Sequence, residues 1–347
     1  LDVLLPNLKS WTVPLAQKMP FLNQAEGTWY LSRQVLFFSV IGASYFVASE
    51  IALTMGLSQI LVVLFGVWFV TTTGTPLTSK DMGLMRGGAY LAYAMVLLYT
   101  GRAYYLAVCR KALRWKVRAE DDRTPVLAAR LLVLSFAGFT TMLVLMGLDW
   151  FVALLFALLV LLLFLVFTRI ICETGIPFMQ AHWWPSTFLV SLLGPAAVGP
   201  GPIVLIAFFG TILVQDPREC LMPYVATGLK MADDAKIKIS RLFTVLTVTM
   251  VIALVIGFIS TTWTQYTFGA ITEQMYASKT VPTTAFNQAA QRISELSDTG
   301  VLEQSKALKG LGRLSMFSPV PSDLGLVAAG AGAVLLFGCL RLRFKGL

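Results

Sequence analysis

The chain has 347 residues, 57% of them hydrophobic and only 13% charged, with a mean hydropathy of +0.75. So little polar surface cannot solvate a fold of this size in water, which excludes a soluble globular protein and leaves a polytopic integral membrane protein. The formal net charge of +9 would suit a nucleic-acid binder, but the basic residues sit in short connections between apolar runs. There they set topology and meet anionic lipid headgroups, so membrane lipids are expected partners and nucleic acid is not.

The first candidate spans lie at 35–54 and 57–72, with a junction at Met55 and Gly56 that reads either as a turn or as a kink in one helix. Within SVIGASYFVASEIALTMGLSQ, Glu50 is surrounded by Ser39, Gly42, Ser44, Tyr45, Ser49 and Ser58, small and polar residues that let helices approach and bond across an interface. If this segment crosses the bilayer, the Glu50 carboxyl is protonated, paired or facing a cavity, which makes it an ion-coupling candidate; near a helix end it is an ordinary interfacial acid. A further span is expected at 86–108, where Arg102 in TGRAYYLAVCR reads as a snorkelling end or as a contact for an anionic substrate.

Orientation follows from the loop between Cys109 and Arg130, which carries Arg110, Lys111, Arg114, Lys116, Arg118 and Arg123 against Glu120, Asp121 and Asp122. The positive-inside rule makes this loop cytoplasmic. Arg341, Arg343 and Lys345 at the C-terminal end are expected on the same side, in what reads as a bacterial inner membrane. Spans then follow at 127–147 and 150–172. Trp150 to Thr168 is nineteen residues without a charge, and at about 1.5 Å per residue it can cross a bilayer core of about 30 Å.

From Thr168 to Ser186 the chain reads TRIICETGIPFMQAHWWPS. Arg169 and Glu173 are four apart, on one helix face, and Gly175 and Pro177 interrupt the helix after them. Non-helical backbone at membrane depth is tolerated where it is buried in protein or lines a wet cavity, so such breaks mark candidate substrate or ion sites. On this reading Glu173 is a proton or cation site with Arg169 as its partner; the alternative is that both end the helix at the cytoplasmic interface and snorkel to water. His182, the single histidine, stands beside Trp183 and Trp184 and reads as part of an interfacial aromatic belt or as a ligand.

The apolar region 186–214 contains Gly194, Pro195, Gly199, Pro200, Gly201 and Pro202. Prolines at this density forbid a continuous helix, so the region reads either as two half-helices meeting at a bend, as in secondary transporters, or as an outer turn between two short spans. After a span at 240–262 comes a polar insert, 263–324, placed on the outer side by the parity of the spans. Phe286, Ala290, Ile293 and Leu296 recur there at helical spacing, which predicts an amphipathic helix lying on the membrane, capping the bundle or packed on neighbouring loops. The last span, 325–342, leads into the basic end. Three regions result: a helical bundle with an N-terminal outer segment over 1–262, the insert over 263–324, and a final helix with a basic cytoplasmic end over 325–347.

Four cysteines without CxxC spacing indicate neither a disulfide framework nor a zinc site. With no Walker lysine motif, HExxH or GxSxG, neither nucleotide-driven transport nor metal or serine hydrolysis has support, and no enzyme, cofactor or metal is expected.

The segments FFSVIGASYFVASEIALTMGL (37–57), RIICETGIP (169–177) and LRLRFKGL (340–347) resemble a family of uncharacterised bacterial polytopic proteins related to oligopeptide transporters. The resemblance implies a multi-helix transporter fold that handles substrate near the midplane. It also implies a longer parent chain, of which this sequence is the middle and later part. Two functional expectations follow: an ion-coupled secondary transporter for a peptide-like or other small polar solute, or a non-transporting subunit among other membrane subunits of a respiratory or photosynthetic complex.

Overall fold

A computed structural model of the chain describes residues 12–13, 34–35, 41–42, 44–113, 123–176, 179–214, 220–269, 279 and 281–343. The fold is all-α. Among the described residues the extended structure is one antiparallel pair of two-residue strands, Thr12–Val13 with Gln34–Val35. The helices in chain order are α1 (Ser49–Thr73), α2 (Ser79–Thr100), α3 (Arg102–Leu113), α4 (Arg123–Leu145) and α5 (Trp150–Thr174), followed by a broken series of α6 (Pro185–Leu193), α7 (Pro195–Val198) and α8 (Pro200–Val214). Then come α9 (Leu221–Asp234), α10 (Ile239–Phe268), α11 (Val281–Asp298), α12 (Leu302–Ala307), a 3-10 turn over Gly310–Met316, and α13 (Pro321–Arg343).

Among the described residues five helices are long and apolar enough to cross a membrane, or six if α2 and α3, bent by 72°, form one span. The protein is an integral membrane protein. The described residues fall into two compact units, one drawn from Leu1–Gly83 with Ile170–Pro177, the other from Leu84–Arg169 with Phe178–Leu347.

Three expectations need correction. Met55 and Gly56 are not a turn between two spans: α1 runs through them as one helix, which keeps its backbone amides and carbonyls paired among apolar side chains. The span expected at 86–108 bends at Gly101, so Arg102 opens α3 and lies 4.0 Å over the Tyr99 ring. And α10 extends to Phe268 rather than stopping at 262, with α9 as an additional amphipathic helix before it.

The core of the larger unit is built around α5, which buries Val152, Phe156, Val160, Leu163 and Phe167 along one stripe. The helix α8 buries Ile203, Ile206, Ala207, Gly210 and Val214 at three- and four-residue spacing, and the helix it packs against is α11. The amphipathic helix of the insert therefore exists, but its inward face is Val281, Ala285, Ala289 and Leu296, while Phe286 is 55% exposed. Small alanines, not the large apolar residues, choose the packed side because they let two backbones close up. The same device joins α2 to α13, where Gly88 lies against the Val327 backbone and Gly330 against the Met85 backbone.

Candidate functional site

The region 186–214 is a buried broken helix, and its breaks follow from backbone chemistry. In a helix the amide of residue i bonds the carbonyl of residue i−4. Proline has no amide hydrogen, so Pro195, Pro200 and Pro202 orphan the carbonyls of Ser191, Ala196 and Val198. Gly194 and Gly199, at φ of 89° and 83°, take the left-handed backbone that separates the three pieces.

Each orphaned carbonyl finds a donor in one later stretch of chain. The Val320 amide donates to Ser191 O at 3.4 Å, with the Ser318 amide on the neighbouring Leu193 O at 3.2 Å. The Ser305 hydroxyl donates to Ala196 O at 2.7 Å. Arg313 Nη1 donates to Val198 O at 2.7 Å and reaches Ala197 O at 3.3 Å. Buried polar groups must be paired, and here α12, the 3-10 turn and the chain from Ser318 to Val320 supply the pairing that prolines deny the helix.

The guanidinium is in turn held by Asp149, just ahead of α5. Arg313 Nε lies 3.4 Å from Asp149 Oδ1, and the two side chains are only 6% and 8% exposed. Asp149 Oδ1 also accepts the Phe151 amide at 3.1 Å, capping the start of α5, and Oδ2 accepts the Gly310 amide at 2.8 Å. Arg313 Nε itself finds no hydrogen-bond partner, so the ion pair is electrostatic rather than a well-directed bond. The fit leaves no room for larger residues: a Cβ at Gly199 would come within 2.5 Å of Arg313 Nη1, one at Gly194 within 2.6 Å of Ser318 O, and one at Gly310 within 2.6 Å of Trp150 Nε1.

Next to the broken helix, the chain between Gln180 and α6 is tied to α2. Arg86 Nη1 donates to His182 O at 3.0 Å and the Tyr90 hydroxyl to Ala181 O at 3.1 Å. His182 has φ of 42°. Partial burial, and then the nearby Arg86 charge, lower its imidazole below the ordinary 6.5. Trp183 is buried edge-on against Phe188 and Tyr90, at ring separations of 5.3 and 6.0 Å.

Residues 4–317 match the family described as "Family of unknown function (DUF6785)". The chain belongs to this family. No curated protein and no solved structure matches it. Asp149, Ser305 and Arg313, the side chains that hold the broken helix, all fall inside the stretch that DUF6785 covers.

The residues read from sequence as site candidates are placed as follows. Gly194, Pro195, Gly199 and Pro200 form the breaks described above. Gly175, at φ of 68°, ends α5 as expected, and Pro177 lies outside the described residues. Arg169 and Glu173 occupy the final turns of α5, and both are exposed. Glu50 is exposed in the first turn of α1, and Arg102 is exposed at the start of α3. None of these four charged residues belongs to the clamp. Asp149, Ser305 and Arg313 carry it, and sequence reading passed over all three. A signal existed: each proline at position i in an apolar helix leaves a carbonyl at i−4 that some polar residue elsewhere must satisfy.

Proposed function

We propose that this DUF6785 protein is an ion-coupled secondary carrier for a peptide-like or other small polar solute, working in a bacterial inner membrane with the basic segment 109–130, which the ends of α3 and α4 share, and the C-terminal end cytoplasmic. One observation carries the reading: a thrice-prolined helix buried in a membrane protein, whose Val198 carbonyl is held by the arginine of a buried ion pair instead of by its own helix. Discontinuous helices of this kind are how carriers present backbone carbonyls and helix ends to substrates and ions. A purely mechanical span needs none of it, since an unbroken helix satisfies its own backbone at no cost in buried charge. The resemblance of 37–57 and 169–177 to relatives of oligopeptide transporters points to the same class of solute. In this reading the working element is α6–α8 with its clamp, while Glu173, Arg169, Glu50 and Arg102 serve as interfacial anchors.

The test is uptake of labelled di- and tripeptides into liposomes that contain the purified protein, under an imposed proton or sodium gradient. Accumulation above gradient-free liposomes is expected, and Gly199→Ala, which pushes a methyl group into the Arg313 seat, is expected to cut it by about tenfold. Glu173→Gln is expected to leave uptake intact. Failure to accumulate any of these solutes under either gradient removes the carrier reading.

A non-transporting subunit of a larger membrane complex is the second reading, favoured by α10. Its apolar window has no buried residue, and Phe258, Trp263 and Tyr266 are exposed along it, a surface that either lipid or a neighbouring subunit can cover. Co-purification of stoichiometric partners in mild detergent, together with an absence of uptake, would decide for it.

A further inference from the structure

Among the described residues the polar partners of the Arg313 guanidinium are oxygens: Asp149 Oδ1, Ala197 O and Val198 O, with Ala196 O taken by Ser305 beside them. We propose that this cage is a monovalent-cation site in which Arg313 is a tethered occupant, and that a free inorganic cation takes the same oxygens when the Gly310–Met316 turn moves away. The proposal deepens the carrier reading by naming its coupling ion, and it rests on that reading for its role in transport.

Three features of the cage argue for it. First, one carbonyl of the cage has no helical partner. Pro202 has no amide hydrogen to give Val198 O, which accepts from Arg313 at 2.7 Å, so an arginine that leaves must be replaced there by another donor or by a cation. Unwound carbonyls and half-helix C-terminal ends are the groups that coordinate sodium in carriers. Second, the charge arithmetic selects the ion. The cage holds one carboxylate, Asp149, and arginine stays protonated throughout, so neutrality in the buried site is kept by a single positive charge and broken by a divalent ion. Among the described residues no group of three or more His, Cys, Asp or Glu side chains comes together, and the donors of this cage are hard oxygens of the kind alkali cations take. Third, the arginine fits its seat imperfectly: Nε is buried without a hydrogen-bond partner, and its approach to Asp149 is 3.4 Å. A guanidinium selected only to lock the fold would be expected to engage the carboxylate through paired, short bonds.

The experiment removes the tether and asks whether a free cation replaces it. Purified Arg313→Gln protein is melted in sodium, lithium, potassium and choline chloride at equal ionic strength, next to wild type and Asp149→Asn/Arg313→Gln. The expected result is a rise of about 5 °C in the apparent melting temperature of Arg313→Gln in one alkali cation relative to choline. The double variant, whose cage is neutral, should not respond. Recovery of folded Arg313→Gln only when that alkali cation is present during purification supports the site equally. Identical melting in all four salts, a response shared by the double variant, or failure to fold in every salt overturns it. The two readings fail separately. A cation response without solute uptake keeps the site and removes the carrier, whereas gradient-driven uptake with no cation response keeps the carrier and removes the site.

Discussion

Among the candidate spans of the described residues α5 and α10 are the two most hydropathic, at mean hydropathies of 3.2 and 2.7, yet 44% of the α5 window is buried and none of the α10 window is. Hydropathy therefore fixes that a segment lies in the membrane and says nothing about what it touches there. In water, burial and hydrophobicity go together because solvent expels apolar groups; in lipid that force is absent, and helices associate through close packing and polar contacts. The region around α5 has both: Asp149 at its head reaches the Gly310 amide and the Arg313 side chain, and its buried stripe alternates Ala153 and Ala157 with Phe156. The apolar window of α10 has no buried residue.

A pair of phenylalanines breaks or sharpens this contrast. Phe156 on α5 is fully buried, whereas Phe258 on α10 is 74% exposed. Phe156→Ala is expected to cost about 3–5 kcal/mol, and Phe258→Ala to stay within about 0.5 kcal/mol, both read as denaturation midpoints in detergent. Equal losses would mean that α10 is as packed as α5 in the native protein. A smaller effect is expected at the clamp: Ser305→Ala orphans the buried Ala196 carbonyl and should cost about 1–3 kcal/mol, while Ser315→Ala, whose hydroxyl serves only its own exposed turn, should cost almost nothing.

The smallest effect is one of pH. Partial burial and Arg86 lower the His182 pKa from 6.5 in the folded protein, so the unfolded chain binds a proton more readily than the folded one. Stability from this residue is complete above about 6.5 and is lost as the pH falls from there toward the lowered folded value. Melting curves between neutrality and pH ~5.5 should show a small decline that His182→Gln removes; an unchanged slope in that variant would assign the decline to other groups.

The sequence makes the helices legible because their composition is set by the solvent they sit in, and it makes the breaks legible because glycine and proline act on their own backbone. Gly175, Gly194 and Gly199 all fall where a helix stops. What stayed hidden were relations between distant positions. Arg313 serves a carbonyl 116 residues earlier in the chain, and nothing in KALKGLGRLS distinguishes it from Arg292, whose ordinary pairing is with Glu295 three residues on. The charged residues that did stand out, Glu173 and Glu50, were conspicuous because they border long apolar runs, and both are exposed. Likewise Phe286 drew the inward face of α11 to the wrong side, since its size suggested burial while Ala285 and Ala289 made the contact.

The distance between the broken helix and its donors also bears on how the protein is made. Synthesis proceeds at about 5–20 residues per second, so once Ala197 has left the ribosome, on the order of ten seconds pass before Arg313 follows it. Throughout that interval the nascent α6–α8 segment lacks the donors that Ser305 and Arg313 later supply to its carbonyls. A chain cut short before Ser305 lacks the donors to Ala196, Ala197 and Val198 altogether and is expected to be recognised and cleared by quality-control proteases.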